Sequence, residues 1–348
     1  MSRALIAAFL LTILGSSVFF GFFEPRNLLL DSAHFILAGS WPIEAKYDLH
    51  IFVDSRGYIW VVNGTHLHKF TPTGVLLTIF PTYGVDSESG TWISDLAADS
   101  QGNIFAVDSL ARTVKCFSPN GTLLTYWPYD NTSSAGLPSG IWIDTDDIVY
   151  VVDGLSNVSK YTLQGELVSR WGQRSAEPGG LYSANAVVTD VLDYVYIVDF
   201  IKGQIQKFLA NGTFVAVLYE GNLIDQYQLD SWCGDLEIDT VGNLYLTDAD
   251  HDMVYKLRPD GSLITIFGES GSDGVELFCP TGVAVDTFSA VYIAEAGKMR
   301  IQKFVPAIGG LFIQLIGAIL ITIFCAIIVI ITKVYIQRQR QTIASTDS

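Results

Sequence analysis

Cysteine is scarce, four residues in 348, and one of them, Cys325, lies inside a long apolar run. That excludes a disulfide-built scaffold, so the core must be held by burial. Positive charge is also short. Lys and Arg number 20 against 36 Asp and Glu, a formal net charge of −16. Such a surface repels phosphate backbones and excludes nucleic acid as a partner. The five histidines (34, 50, 66, 68 and 251) are scattered. Only His66 and His68 share one segment, where they read as an exposed pair rather than a zinc site.

Two stretches have almost no charge. After Arg3, the run Ala4 to Phe23 is apolar and carries the small residues Gly15, Ser16 and Ser17. Residues 1–23 therefore read as a secretory signal peptide, or as a signal anchor if the segment is retained. Leu311 to Thr332 is a 22-residue uncharged run followed at once by Lys333, Arg338 and Arg340. This predicts a C-terminal transmembrane helix within 308–332 and a cytoplasmic tail, 333–348. The expected protein is integral to the membrane, single-pass or two-span, at the cell surface or in an endomembrane, with its main domain extracellular or lumenal. Five N-glycosylation sequons, at Asn63, Asn120, Asn131, Asn157 and Asn211, agree with a glycoprotein of that compartment.

Between the ends, one phrase recurs six times: HIFVDSRGYIWVVN, DLAADSQGNIFAVD, GIWIDTDDIVYVVD, AVVTDVLDYVYIVD, DLEIDTVGNLYLTD and GVAVDTFSAVYIAE. An acid closes the first apolar run of each, at Asp54, Asp99, Asp144, Asp190, Asp239 and Asp286, spaced 45, 45, 46, 49 and 47 residues apart. Nine residues later stands Asn63, Asp108, Asp153, Asp199, Asp248 or Glu295. A third run then carries a Lys (69, 115, 160, 207, 256 or 303), and a fourth follows a Gly turn. Each unit predicts a four-stranded antiparallel meander, and repetition at this period predicts propeller blades.

These phrases resemble the NHL repeat, whose blades read V-D-x-x-G-x-[IVL]-Y-V-x-D followed by V-x-K-F. The resemblance covers about 33–305 and implies an all-β, six-bladed β-propeller of NHL type. It leaves function open, since the family includes adhesion modules, RNA binders and lyases. The sixth unit lacks a fourth strand, and Phe35-Ile36-Leu37-Ala38-Gly39 supplies one, matched to Ile264-Thr265-Ile266-Phe267-Gly268. Closing the ring with strands from both termini removes the exposed edge. Alternating strand directions put the Asp-x-x-Gly turns and the Gly turns on one face, B. The chain leaves toward the membrane from B, so the opposite face, A, points away.

Residues present in every blade read as structural: the first Asp caps its turn, while the second acid and the Lys pair or satisfy loop backbone. Deviations carry more information. Four residues before the marker Asp stand His50, Asp95, Gly140, Ala186, Asp235 and Gly282. Units two and five are three blades apart, so Asp95 and Asp235 face each other across the axis, with Glu237 as a third carboxylate. Crowded carboxylates need a proton, a partner or a cation. Oxygen ligands suit Ca²⁺, with His50 and Asn185 as further members. Peptidylglycine amidating lyases resemble this fold and place zinc-binding His one position earlier, where this chain has Leu49, Ser94, Ser139, Asn185, Gly234 and Thr281. Lactonases of the paraoxonase and gluconolactonase kind resemble it in architecture and in their axial Ca²⁺.

On face A, sequons fall in the first three blades. The bare half, with Asp225, Tyr227, Trp232 and His251, reads as a contact surface for a protein or glycan. Cys233 and Cys279 occupy matching loops and suggest a disulfide, while Cys116 reads as buried and free. No nucleophile, base and orienting group stand together, which favours a binding module over an enzyme. The alternative expectation is a Ca²⁺-dependent hydrolase or lactonase, or a lyase-like enzyme, that uses the axial acids. A structural ectodomain is the third.

Overall fold

The computed structural model describes residues 35–44, 49–82, 91–129, 136–220, 234–268 and 276–307. The segments 1–23 and 308–348 lie outside them. Among the described residues no helix is long and apolar enough to cross a membrane. Residues Ala33–Pro306 form one compact unit, a ring of six four-stranded antiparallel sheets.

The first strand, β1 (Phe35–Pro42), belongs to the last blade. Blade 1 is β2 (His50–Val53), β3 (Ile59–Val62), β4 (His66–Phe70) and β5 (Leu76–Pro81). Blade 2 is β6 (Ile93–Ala98), β7 (Ile104–Asp108), β8 (Thr113–Phe117) and β9 (Leu123–Pro128). Blade 3 is β10 (Pro138–Ile143), β11 (Val149–Asp153), β12 (Val158–Tyr161) and β13 (Leu167–Trp171). Blade 4 is β14 (Ala184–Thr189), β15 (Val195–Asp199), β16 (Gln204–Phe208) and β17 (Phe214–Glu220). Blade 5 is β18 (Leu236–Ile238), β19 (Leu244–Asp248), β20 (Met253–Leu257) and β21 (Leu263–Phe267). Blade 6 is β22 (Pro280–Val285), β23 (Val291–Glu295), β24 (Arg300–Pro306) and β1.

Burial falls from the axis outward. The second strand of every blade is buried at every position, because both of its faces pack against neighbouring blades. Hence its near-continuous Val, Ile, Leu and Tyr. The outermost strands are largely exposed. Six apolar clusters fill the six seams between blades.

Each marker Asp acts as a turn cap. Through Oδ1 it accepts the N–H groups two and four residues on: Arg56 and Tyr58, Gln101 and Asn103, Asp146 and Ile148, Leu192 and Tyr194, Val241 and Asn243, Phe288 and Ala290. The second acid ties down loop backbone, as Asp199 does for Tyr182, Ser183 and Lys202. The Lys residues mostly do something else. Lys69, Lys160, Lys207, Lys256 and Lys303 lie over buried aromatic rings within 5.3 Å. In blade 2 the Lys stands one position early, Cys116 takes its place, and Lys115 turns inward to Asp108 at 2.7 Å. His68 corrects the expected exposed pair, since it is buried and stacks on Phe70.

The closing strand is the expected segment in a different register. Trp41, not Ala38, stands opposite Ile301, the place Phe267 takes opposite Val254 in blade 5. The offset is three residues throughout, and the bulge between Leu37 and Gly39 is the one blade 5 carries between Leu263 and Thr265. The reason is a lock repeated around the ring. An aromatic ring at the end of one blade covers the Gly turn of the next: Trp41 over Gly74, Phe80 over Gly121, Trp127 over Gly165 and Trp171 over Gly212. At each of these glycines, which have φ between +81° and +86°, a Cβ would come within 2.0–2.5 Å of the ring. Trp41→Ala should therefore loosen the seam between blades 6 and 1 and cost about 2–3 kcal/mol. Trp41→Phe should restore most of it, because the indole Nε1 has no hydrogen-bond partner among the described residues. Urea unfolding of the three proteins checks both.

Candidate active site

The innermost strands build the site by a shared irregularity. In blades 2, 3, 4 and 6 the pairing slips by one residue where this strand begins, at Ser94, Ser139, Asn185 and Thr281. Such a bulge re-aims side chains. The slipped residue reaches the next blade's backbone: Ser94 Oγ to Pro138 O at 3.4 Å, Ser139 Oγ to Ala184 O at 2.8 Å, Asn185 Nδ2 to Gly234 O at 3.4 Å and Thr281 Oγ1 to Leu49 O at 2.9 Å. The position compared above with a zinc ligand is thus a latch between blades.

One residue further along, the ring alternates with a near two-fold pattern. Asp95 accepts the N–H of Leu96 at 2.7 Å through Oδ1, and that of Ile141 in blade 3 at 2.8 Å through Oδ2. Asp235 does the same with Leu236 and with Val283 in blade 6, both at 2.9 Å. The blades receiving these carboxylates carry glycine at this place. A Cβ on Gly140 would stand 2.5 Å from Asn185 O, and one on Gly282 would stand 2.7 Å from Leu49 O. Aspartate followed by glycine therefore occurs twice, three blades apart.

Asp95, Asp235 and Glu237 line one axial cavity, together with Ile51, Trp142 and Val187. Its volume is about 10 Å³, room for one water-sized occupant. Burial pushes the Asp95 carboxyl well above the usual range, the Asp235 charge pushes it further, and its two N–H bonds only partly oppose this. Asp235 is raised, again chiefly by burial, to about 7. Glu237 is also well above the ordinary range, by burial and then by the two aspartates and Asp239. Carboxylates that cannot all ionise together share protons. Backbone amides thus partner both aspartates, and burial favours their protonated forms.

The other predicted residues are placed as follows. His50 and Asn185 do not line this cavity. Burial holds His50 down to about 4, and Asn185 is engaged as a latch. Among the described residues no group of three or more His, Cys, Asp and Glu could hold a metal ion. The oxygen donors have the chemistry for Ca²⁺, but the three carboxyls are not gathered into a group that could hold the ion. His251 Nδ1 lies 2.9 Å from both carboxylate oxygens of Asp248. Asp225, Tyr227, Trp232, Cys233 and Asn131 lie outside the described residues. Cys279 N–H donates to Asp252 Oδ1 at 2.6 Å, and Cys116 is buried and free as expected. Sequence reasoning missed the latches and the Asp–Gly alternation, although the glycines at 140 and 282 were visible.

The fold defines the class, a six-bladed β-propeller. No protein-family model matches the chain. NHL repeat-containing protein 3 of Homo sapiens is 24% identical over 193 residues, 51% of this chain and 54% of that protein, and its Mus musculus counterpart matches to the same extent. The chain thus spans about half the length of the curated relatives it matches. Among solved structures, a streptogramin B lyase is similar over 78% of this chain and 97% of its own, with a TM-score of 0.54 and 13% identity. A virginiamycin B lyase from Staphylococcus aureus covers 78% and 99%, with a TM-score of 0.55 and 12% identity. A protein of unknown function from Bacteroides thetaiotaomicron covers 79% and 74%, with a TM-score of 0.58 and 13% identity. At these identities the likeness is one of fold. It nevertheless corrects the expectation that leaned against an enzyme: propellers of this architecture include lyases, so the missing nucleophile–base–orienter set is no argument against catalysis.

Proposed function

We propose that the propeller is an extracytoplasmic enzyme, a hydrolase or lyase acting on an ester-like bond, in which Asp95 and Asp235 exchange protons with the substrate and Glu237 tunes them. The observation that carries this reading is the pair of carboxyls set face to face from blades 2 and 5, displaced upward and sharing one cavity. The ionised member takes a proton from water, or from a carbon beside the carbonyl. The protonated member gives one to the departing oxygen, so the pair ends with as many protons as it began. Both acids stand where the inner strands begin, at the face A end of the axis; the cavity they line holds one water-sized group, so a substrate offers its reacting bond from that side while its bulk stays outside. The similarity in fold to lyases supports the reading. The uncharged run 311–332 and the basic residues behind it support a membrane-anchored protein with its propeller outside the cytoplasm.

The test is turnover of ester and lactone probes by the full chain in nanodiscs, with and without added Ca²⁺ and with a chelator. Wild type should turn over at least one probe class, and Asp95→Asn should lose that activity. If wild type is inert under all three conditions, the catalytic reading falls. An activity indifferent to Asp95→Asn would remove the axial acids from it.

A further inference from the structure

Among the most exposed apolar side chains of the ring, several sit at the tips of the inner turns on face B, in one half only. In blades 4, 5 and 6 these tips carry Val191 and Leu192, Val241, and Phe288, which are 75%, 73%, 43% and 86% exposed. In blades 1, 2 and 3 the same tips are Ser55 and Arg56, Ser100 and Gln101, and Thr145 and Asp146, all polar and all exposed. Each turn is closed by its capping Asp; the Ser100 tip also donates its N–H and Oγ to Asp147 of the next turn, but nothing in the packing of blades 4 to 6 calls for apolar tips.

The chain's own path says what lies opposite that half. Phe304 pairs with Val291, and Val291 with Val285, so β24 ends beside the turn that carries Phe288. Phe35 pairs with Pro306, so β1 begins at the same end. Only residues 307–310 separate Pro306 from the uncharged run that starts at Leu311. The five steps from Pro306 to Leu311 reach at most about 18 Å when fully extended. If 311–332 spans a bilayer, face B at blade 6 lies within that distance of its surface. The sequon at Asn211, in the outer turn of blade 4, bounds the patch away from the axis.

We infer that Val191, Leu192, Val241 and Phe288 form a seat that dips into the lipid interface and tilts the propeller onto blades 4 to 6. The inference rests on the proposed membrane anchoring. Exposed apolar groups rimmed by polar ones mark such contacts, and side chains of this kind sit at the boundary between headgroups and acyl chains. The seat would hold face A, the end of the axis at which the acids stand, turned from the membrane.

The experiment uses the full chain in phosphatidylcholine vesicles containing a phosphatidylcholine with a photoactivatable diazirine near the top of one acyl chain. Peptides bearing 191–192 and 288 should be labelled at least about five-fold more than those bearing 55–56 and 100–101. Phe288→Asp with Leu192→Asp should abolish that excess, leaving the label on 311–332 and the melting temperature unchanged. Phe288→Asp alone serves if the double variant does not fold. Label on 311–332 without excess at the tips overturns the seat while anchoring stands. No label on 311–332 defeats the anchoring itself. Dimer cross-links through the tips in place of lipid label assign the patch to a second copy and also overturn the seat.

Discussion

Asp235→Asn is expected to lower turnover by about 10²–10⁴-fold and, at pH 8, to make the protein more stable than wild type. The two effects have one cause. Asp235 is raised from 3.8 to about 7 by burial, with Asp95 and Glu237 as the titratable groups lining its cavity. A carboxyl raised in the folded state contributes stability that is fully present below its unfolded value and is lost as pH rises through the folded value. Between about pH 4 and 7 wild type should therefore weaken, by up to roughly 4 kcal/mol from the Asp235 shift. Asparagine carries no charge and escapes that loss. It does place an amide group where one of two carboxyl oxygens accepted an N–H from Leu236 or Val283, which costs about 1 kcal/mol at any pH. The stability curves should cross, with wild type ahead at pH 4 and the variant ahead at pH 8. Chemical denaturation at four pH values reads this out, and parallel curves would show that folding leaves the Asp235 carboxyl unshifted.

Asp108→Ala should destabilise the ring by about 3–5 kcal/mol. Its carboxylate is fully buried 2.7 Å from the Lys115 ammonium, which is itself only 11% exposed. The other acceptor given to that ammonium is Thr82 O at 3.0 Å. The same carboxylate accepts the N–H groups of Trp92 and Ala111, so alanine strands a charge and two donors at once. Replacing both partners, as Asp108→Asn with Lys115→Met, removes the stranded charge and should recover more than half of the loss in urea unfolding. Equal destabilisation by both variants would place the cost in the loop bonds alone.

The ring was legible because each blade repeats a physical device. A turn capped by Asp, a strand buried on both sides and a Gly turn all leave residues at fixed spacing, and six such phrases give six blades. The closing strand was legible as a segment but not in register, since matching apolar letters does not reveal that Trp41 must reach Gly74. The signal was present: Phe80, Trp127 and Trp171 end their strands at the corresponding place. Asp95, Asp235 and Glu237 stood out because they break a pattern that the other blades keep. The amide bonds that hold the two aspartates, and the absence of His50 and Asn185 from the cavity lining, depend on contacts between neighbouring blades that composition does not encode. Sequence alone therefore named the acids and misjudged their company.

The doubled aspartate–glycine arrangement bears on how a molecule would lie at the axis. Two carboxyls related by a half-turn of the ring offer any visitor two equivalent poses, so the pair alone does not fix which carboxyl gives a proton and which takes one. Glu237 has no counterpart three blades away, where Ala97 stands. That one unmatched side chain gives the axis a direction.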